Sequence, residues 1–325
     1  MVPESLLTYA SQCYDFDKSS LQFISDSTNQ IYLFKKNNIP YILRFSKRPK
    51  PFIRLLQAEM EWIYYLANNG VNVSLPLLTV NEKLLDTFCI NEHFYIISAF
   101  EMACGQFWNK NDVNLWNEDI FYKWGKTMAD IHVKTKSYEP DNVDIRRDDW
   151  SDYVGYLEKL KTIPSIKAIA NDIINKILSF PRDIDSYGLI HYDMHQCNFL
   201  IDNGKINVFD FDDSIYGWYA LDIGVALYHA LWLGLPDAIS ERQAMAEKII
   251  YNFMDGYLTV NKLDISFIRN IPLFIRYRQI SAFCWFFNTD DIIDKHKKKI
   301  TDIQSGIIAD GCEINNIFNK IVKER

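Results

Sequence analysis

Residues Ile190 to Asp213 read IHYDMHQCNFLIDNGKINVFDFDD, and no other window of the chain gathers as much potential chemistry. Two apolar runs, Asn198 to Ile201 and Lys205 to Phe209, flank Asp202-Asn203-Gly204. Asn-Gly between short β-prone runs is the strongest local signal for a tight hairpin. Such a hairpin holds a loop carrying His191, Asp193, His195 and Asn198 beside a second loop carrying Asp210, Asp212 and Asp213. Two acidic clusters are thereby expected to face one point. Carboxylates and carboxamides so arranged can accept a hydroxyl proton and ligate a hard cation.

Composition bounds what surrounds this window. A chain of 325 residues is longer than a typical single domain, so two lobes or domains sharing a cleft are expected. Apolar residues at 48% and aromatic residues at 15% exclude the low-hydrophobicity signature of disorder. A net charge of −7 argues against nucleic acid as the main ligand, because nucleic-acid binding leaves a broad basic face. The basic runs Lys47-Arg48-Pro49-Lys50 and Lys295-His296-Lys297-Lys298-Lys299 read as solvated surface. Cys13, Cys89, Cys104, Cys197, Cys284 and Cys312 are scattered without a CxxC pair, the pattern of reduced thiols in a cytoplasmic protein. The first residues lack a basic leader and a continuous apolar core, so no signal peptide is expected. The longest apolar stretch, Tyr219 to Leu235, is interrupted by Asp222 and His229 and reads as a buried helix, not a membrane span.

Taken in order, Leu21 to Ser46 alternates β-branched and aromatic residues with polar ones, broken at Ser25 to Asn29 and Lys36 to Asn38, which predicts three antiparallel strands. Arg54 to Ala67 carries apolar groups at helical spacing and stops at Asn69-Gly70, a pair suited to a left-handed C-terminal cap. Lys83 to Ile90 and His93 to Ala99 supply two more strands. After Gly105 the pattern turns helical: Asn117 to Lys136, Trp150 to Leu160, Ser165 to Leu178, Trp218 to Trp232, Ser240 to Tyr257, Asp264 to Phe287, and a charged C-terminal helix. Ser240 to Gln243 fits a capping box. The expected division is residues 1–100 as a first lobe, 101–106 as a hinge and 107–325 as a second lobe, and a hinge of this kind is a natural nucleotide position.

His191, Asp193 and Asn198 form H-x-D-x-x-x-x-N, followed twelve residues later by Asp210 in V-F-D-F-D-D and then by Asp222 in A-L-D-I-G. In this set the chain resembles the aminoglycoside phosphotransferase and choline kinase family, relatives of the protein kinases. The resemblance spans most of the chain. It implies an α+β, two-lobed, protein-kinase-like fold, with a small antiparallel-sheet N-lobe carrying one helix and a larger, mainly helical C-lobe. The function it implies is ATP- or GTP-dependent transfer of the γ-phosphate, with Mg²⁺, to a hydroxyl of a small molecule such as an amino alcohol, a homoserine-like compound, a sugar or an aminoglycoside. By resemblance Asp193 orients the acceptor hydroxyl with His191 beside it, Asn198 and Asp210 ligate Mg²⁺, and Arg44 contacts phosphate with Glu59 as its partner, Glu61 being the competing choice. Ser27 and Thr28 lie in the phosphate-covering loop, and Glu101 and Ala103 at the adenine-binding hinge. Asp222 is either an acid complementing a helix N-terminus or a brace of the catalytic loop.

For the acceptor, the candidates are Asp212, Asp213, Trp218, Tyr219, Arg276, Tyr277 and the run Trp285-Phe286-Phe287. Aromatics near carboxylates suit a quaternary ammonium or an amino sugar, whereas aromatics at helical spacing are commonly core. Two features depart from the family pattern: Tyr192 stands where Gly is common, and Ser25 to Asn29 holds no glycine. Two other readings stay open, a catalytically idle, spore-coat-like or nucleotide-sensing relative and a kinase of serine or threonine in proteins. Fold alone does not separate them.

Overall fold

Residues 2–90, 93–157, 164–287 and 312–324 are described by the structure, a computed structural model. The chain divides into two compact units, one of Met1–Cys104, Tyr138–Arg147 and Asn207–Asp212, the other of Gly105–Ser137, Asp148–Ile206 and Asp213–Arg325.

In the first unit, β1 (Gln22–Asp26), β2 (Gln30–Lys36) and β3 (Ile39–Arg48) form the three antiparallel strands expected of their alternating pattern. Helix α2 (Ile53–Asn68) follows, and β4 (Asp86–Ile90) and β5 (His93–Glu101) complete a sheet of order β1-β2-β3-β5-β4. The end of α2 matches its prediction: Gly70, at φ 84°, donates its N–H to Ala67, and the Val71 N–H reaches back to Leu66, so the last carbonyls of the helix are satisfied.

A helix that the strand-and-helix pattern did not anticipate, α1 (Glu4–Tyr14), covers a face of the sheet. Leu6, Ala10, Cys13 and Tyr14 join Phe34, Leu43, Phe45, Ile97 and Ala99 in one buried cluster. On β3, Leu43 and Phe45 belong to that cluster, so the alternate residues Arg44 and Ser46 lie on the opposite face, and Arg44 pairs there with α2. Both faces are buried. That explains the run of four buried residues from Leu43 to Ser46 in a strand that also holds an arginine.

The second unit is mainly helical. It contains α3 (Glu118–Thr135), α4 (Trp150–Leu157), α5 (Pro164–Leu178), β6 (Tyr187–Ile190), β7 (Phe199–Asp202) and, paired with β7, β8 (Lys205–Val208), whose last residues belong to the first unit. Then come β9 (Ile215–Trp218), α6 (Tyr219–Gly234), α7 (Ile239–Leu258), α8 (Ile265–Phe287) and α9 (Ile314–Glu324). Asn117 caps α3 by accepting the Ile120 N–H at 3.0 Å. The hairpin signal also holds. Asn203 and Gly204 turn between β7 and β8 at φ 48° and 75°, the double left-handed conformation that Asn-Gly tolerates.

One cap differs from expectation. Helix α7 starts at Ile239 with Ala238 at the cap position and no side-chain cap, while Gln243 donates to Glu247 and accepts the Glu313 N–H. Gln243 is occupied by Glu247 one turn on and by Glu313 just before α9, so the capping box at Ser240 does not form. Helix α6 is buried almost all round, and its acidic residue, Asp222, sits in the first turn with no exposure of its own. Among the described residues no helix is long and apolar enough to cross a membrane.

Candidate active site

In the second unit, β6 ends at Ile190 and β7 begins at Phe199, and the eight residues between them carry the H-x-D-x-x-x-x-N set. His191 is fully buried and accepts the Asp193 N–H on Nδ1 at 3.3 Å. Its neighbour Tyr192 takes φ 65°, a left-handed conformation that is costly for a bulky side chain. Three groups hold it there. The Tyr192 N–H donates to Asp222 at 2.8 Å, its hydroxyl lies 3.2 Å from that of Tyr277, and the Arg278 guanidinium sits 5.7 Å from its ring centre.

Asp222 anchors the same loop at a second point, accepting the His191 N–H at 3.0 Å. Behind it runs a buried chain: His132 Nε2 lies 3.0 Å from Asp222, His132 Nδ1 lies 2.9 Å from the Tyr257 hydroxyl, and Asn261 donates to that hydroxyl at 2.9 Å. Burial lowers the His132 imidazole below its ordinary range and outweighs the pull of Asp222. A neutral ring satisfies every contact, with Nε2–H donated to Asp222 and Nδ1 accepting from Tyr257. Asp222 therefore both complements the N-terminus of α6 and ties down the loop.

Asp193 has partners on both carboxylate oxygens. Arg278 Nη2 donates to Oδ1 at 2.5 Å, and Oδ2 receives Asn198 Nδ2 at 3.0 Å and lies 3.3 Å from His195 Nε2. Burial alone would raise this carboxyl, but the His195 hydrogen bond and the Arg278 charge outweigh it and hold Asp193 well below the usual carboxylate range. Asn198 Nδ2 also donates to the Asp193 carbonyl at 2.9 Å, so Asn198 keeps its side-chain oxygen for another partner.

In the first unit, Arg44 donates both Nη groups to Glu59, at 2.7 and 3.0 Å, and Nε to Ser98 at 3.1 Å. Glu59 rather than Glu61 is its partner, while Glu61 accepts from Gln57. Burial would lower the Arg44 guanidinium, but Glu59, reinforced by Asp212 and Asp210, outweighs it and keeps the charge in place. Asp210 takes φ 63° two residues beyond the end of β8 and is exposed. Asp212 is engaged by Arg48 Nη2 and Asn29 Nδ2, both at 3.2 Å, and its carbonyl accepts from Arg147 at 2.5 Å. Arg48 also donates to the Thr28 carbonyl and to the Asn29 side chain, so it grips the glycine-free loop that carries the exposed Ser27 and Thr28. Asp26 accepts from Gln30. Glu101 is exposed at the end of β5 and Ala103 is half-buried just beyond it.

The residues proposed for the acceptor scatter. Trp218 is fully buried and donates its indole N–H to the Pro181 carbonyl at 2.9 Å, and Tyr219 is fully buried with its ring 4.5 Å from that of His132. Tyr277 is core as well, between Tyr192 and Trp150. Arg276 donates to Gln279, Asp213 is exposed and stabilises the Arg278 charge, and the side chains of Trp285, Phe286 and Phe287 lie outside the described residues.

Sequence reasoning named His195 without assigning it a role, read Arg48 as solvated surface where it is in fact paired with Asp212, and passed over Arg278, Arg147 and His132. Arg278 is the clearest case. Successive helical residues are 100° apart, so Arg276 and Arg278 point to nearly opposite faces of α8, and only tertiary folding decides which one meets the loop. Among the described residues no cluster of three or more His, Cys, Asp or Glu side chains could cage a metal. Taken separately, the Asn198 and Asp210 side chains each carry an oxygen, the donor type that hard cations such as Mg²⁺ prefer.

Comparison with known proteins places the chain in a family. Residues 20–258 match the model of the phosphotransferase enzyme family. The amicoumacin kinase of Bacillus subtilis (strain 168) is 33% identical over 315 residues, covering 93% of this chain and 92% of that protein. Among solved structures, an amicoumacin kinase in complex with AMP-PNP, Ca²⁺ and Ami superposes with a TM-score of 0.84 at 24% identity, covering 95% of each chain. A microcompartment-associated aminopropanol kinase follows with a TM-score of 0.74 at 20% identity, covering 93% of this chain and 94% of that one. With a kinase-like α+β fold and the H-x-D-x-x-x-x-N loop in place, the chain belongs to the phosphotransferase enzyme family.

Proposed function

We propose that this phosphotransferase moves the γ-phosphate of ATP to a hydroxyl group of amicoumacin or of a similar small acceptor bearing amine and hydroxyl groups. The observation that carries the reading is Asp193, a carboxylate kept ionised and fixed on both oxygens inside a loop that is itself tied to Asp222. So weak a base suits a loose transition state, in which the carboxylate orients the hydroxyl early and takes its proton late. The amicoumacin kinases among the relatives supply the acceptor hypothesis, and the AMP-PNP and Ca²⁺ of the solved complex supply the nucleotide and divalent-cation hypothesis.

Within this reading Arg44, with three N–H groups on Glu59 and Ser98 and a fourth facing the Met60 sulfur, keeps one more for the α and β phosphates. By resemblance Asn198 and Asp210 would be the residues to ligate Mg²⁺, which would supply neutralisation of charge on the transferring phosphate. The backbone between Phe100 and Ala103 takes the adenine, and GTP is the other nucleotide to test. An idle scaffold has no physical need for Asp193, Asn198 and Asp210 together, which weighs against it.

The test is ATP consumption with Mg²⁺ across amicoumacin, aminopropanol, choline, homoserine and aminoglycosides, in the parent and in Asp193→Asn. The expected outcome is turnover of amicoumacin that falls about 10²- to 10⁴-fold in the variant. Parent protein that consumes no ATP with any acceptor at saturating Mg²⁺ would sink the proposal.

A further inference from the structure

Helix α8 gives the catalytic loop one charged side chain that the roles above leave unexplained. Arg278, only 17% exposed, donates Nη2 to Asp193 Oδ1 at 2.5 Å and Nε to His229 Nε2 at 3.2 Å, and lies over the Tyr192 ring. His229, on α6, is held close to the loop because Gln196 donates to its carbonyl at 3.0 Å. The guanidinium thus meets the loop, α6 and an aromatic face at once. Stability is a weak reason for such an arrangement, since replacing a buried ion pair with apolar groups of similar volume is often neutral or stabilising.

The distribution of partners on Asp193 points to a positional role. A carboxylate offers about four lone-pair directions, two on each oxygen. Among the described residues, Oδ2 faces both Asn198 and His195, whereas Oδ1 faces Arg278 alone. One direction on Oδ1 is left for an incoming donor, and it borders the guanidinium.

We propose that Arg278 is the positioning residue of the transfer reaction, fixing the Asp193 carboxylate so that Oδ1 receives the acceptor hydroxyl. This inference rests on the role given to Asp193 above. In the step it serves, the acceptor oxygen bonds to the γ-phosphorus and the bond from that phosphorus to the bridging oxygen breaks. The electron pair leaves on the nucleoside diphosphate, and the hydroxyl proton passes to Oδ1. Arg278 makes its contacts with Asp193, His229 and the Tyr192 ring. It acts through the angle at which Asp193 presents that oxygen, and misplacement of a reacting group by about 1 Å costs about 10²-fold in rate.

A double-mutant cycle on kcat tests this with four proteins: the parent, Asp193→Asn, Arg278→Gln and the pair. The acceptor is amicoumacin, or aminopropanol if amicoumacin is not phosphorylated, or water in slow ATP hydrolysis if neither is. Arg278→Gln is expected to lower kcat about 10- to 100-fold while the KM for ATP stays within about threefold. Arg278→Lys, which restores charge without the planar fork, is expected to recover part of the loss. In the Asp193→Asn background, adding Arg278→Gln should cost less than about threefold, because the carboxylate through which it acts is already gone. Equal losses in both backgrounds, or an Arg278→Gln variant with parental kcat, would overturn the proposal. A parental kcat in Asp193→Asn would instead remove the role of Asp193 itself, a separately visible failure. Should Arg278→Gln not fold, Arg278→Lys and the charge-free pair still decide, since a lysine variant with parental kcat overturns the claim.

Discussion

The Asp222 carboxylate accepts the backbone N–H of Tyr192 at 2.8 Å, and this bond helps to hold a bulky residue in the left-handed region immediately before Asp193. The other Asp222 oxygen accepts the His191 N–H at 3.0 Å. An acid thirty residues downstream thus fixes the entry to the His191–Asn198 loop by main-chain bonds.

Asp222→Asn is the most direct probe of that brace. An amide can accept through one atom only, so one buried N–H loses its partner and meets a donor instead. Leaving a buried donor unsatisfied costs about 1–3 kcal/mol, and the bond to His132 weakens as well. We expect a loss of about 2–4 kcal/mol in denaturant unfolding, with kcat reduced more than the KM for ATP. A variant with parental stability and kcat would leave Asp222 as a helix-terminus acid only.

His132 makes stability depend on pH. Its folded value lies below the ordinary imidazole value of about 6.5, so below that pH the unfolded chain binds more protons than the folded one. Stability from this group is therefore complete above about pH 6.5 and is lost as pH falls from there toward the folded value. Urea midpoints of the parent should drop between about pH 7 and pH 5 more steeply than those of His132→Asn, which starts lower but lacks the titrating ring. Parallel curves for the two proteins would show that the ring does not titrate in this window.

Much of this architecture was legible because it rests on local chemistry. Asn203-Gly204 can take two left-handed conformations in succession, and Asn69-Gly70 ends a helix, so the hairpin and the end of α2 follow from four residues. Helix α1 was not, because its buried face is made of Leu6, Ala10, Cys13 and Tyr14, a stripe too small and soft to stand out before its partners Phe34 and Leu43 are known. The loop residues His191, Asp193 and Asn198 announce themselves by spacing, whereas the arginine on Asp193 lies 85 residues away. Trp218 and Tyr219 went the other way. Aromatic residues beside acids suited an acceptor site, yet both are packed in the core, where large rings bury the most apolar area.

Tyr192→Gly sets two effects against each other. Glycine removes a left-handed backbone penalty of about 1–2 kcal/mol. It also removes a buried ring, the Tyr277 hydroxyl contact and the face beneath Arg278, and deleting a large buried aromatic costs about 3–5 kcal/mol. The packing loss is the larger. Net destabilisation of about 2–3 kcal/mol is expected from urea unfolding, and a variant more stable than the parent would mean that backbone strain dominates at this position.

Arg44 and Glu59 give the sharpest contrast between two substitutions at one place. Glu59 is wholly buried and receives both Nη groups of Arg44, so Arg44→Ala leaves a carboxylate in the core without its counter-charge, a change that costs about 3–5 kcal/mol. Arg44→Lys keeps the charge and can still reach Glu59, but an ammonium on a flexible stem replaces a planar fork and cannot hold Glu59 at two points and Ser98 at a third. For the lysine variant we expect a smaller loss, about 1–2 kcal/mol, with transfer activity retained because a point charge still serves phosphate. Urea unfolding of the two variants, followed by the thermal shift each shows with Mg²⁺ and ATP, checks both halves. A lysine variant as unstable as the alanine one would mean that the fork geometry, not the charge, is what Glu59 requires.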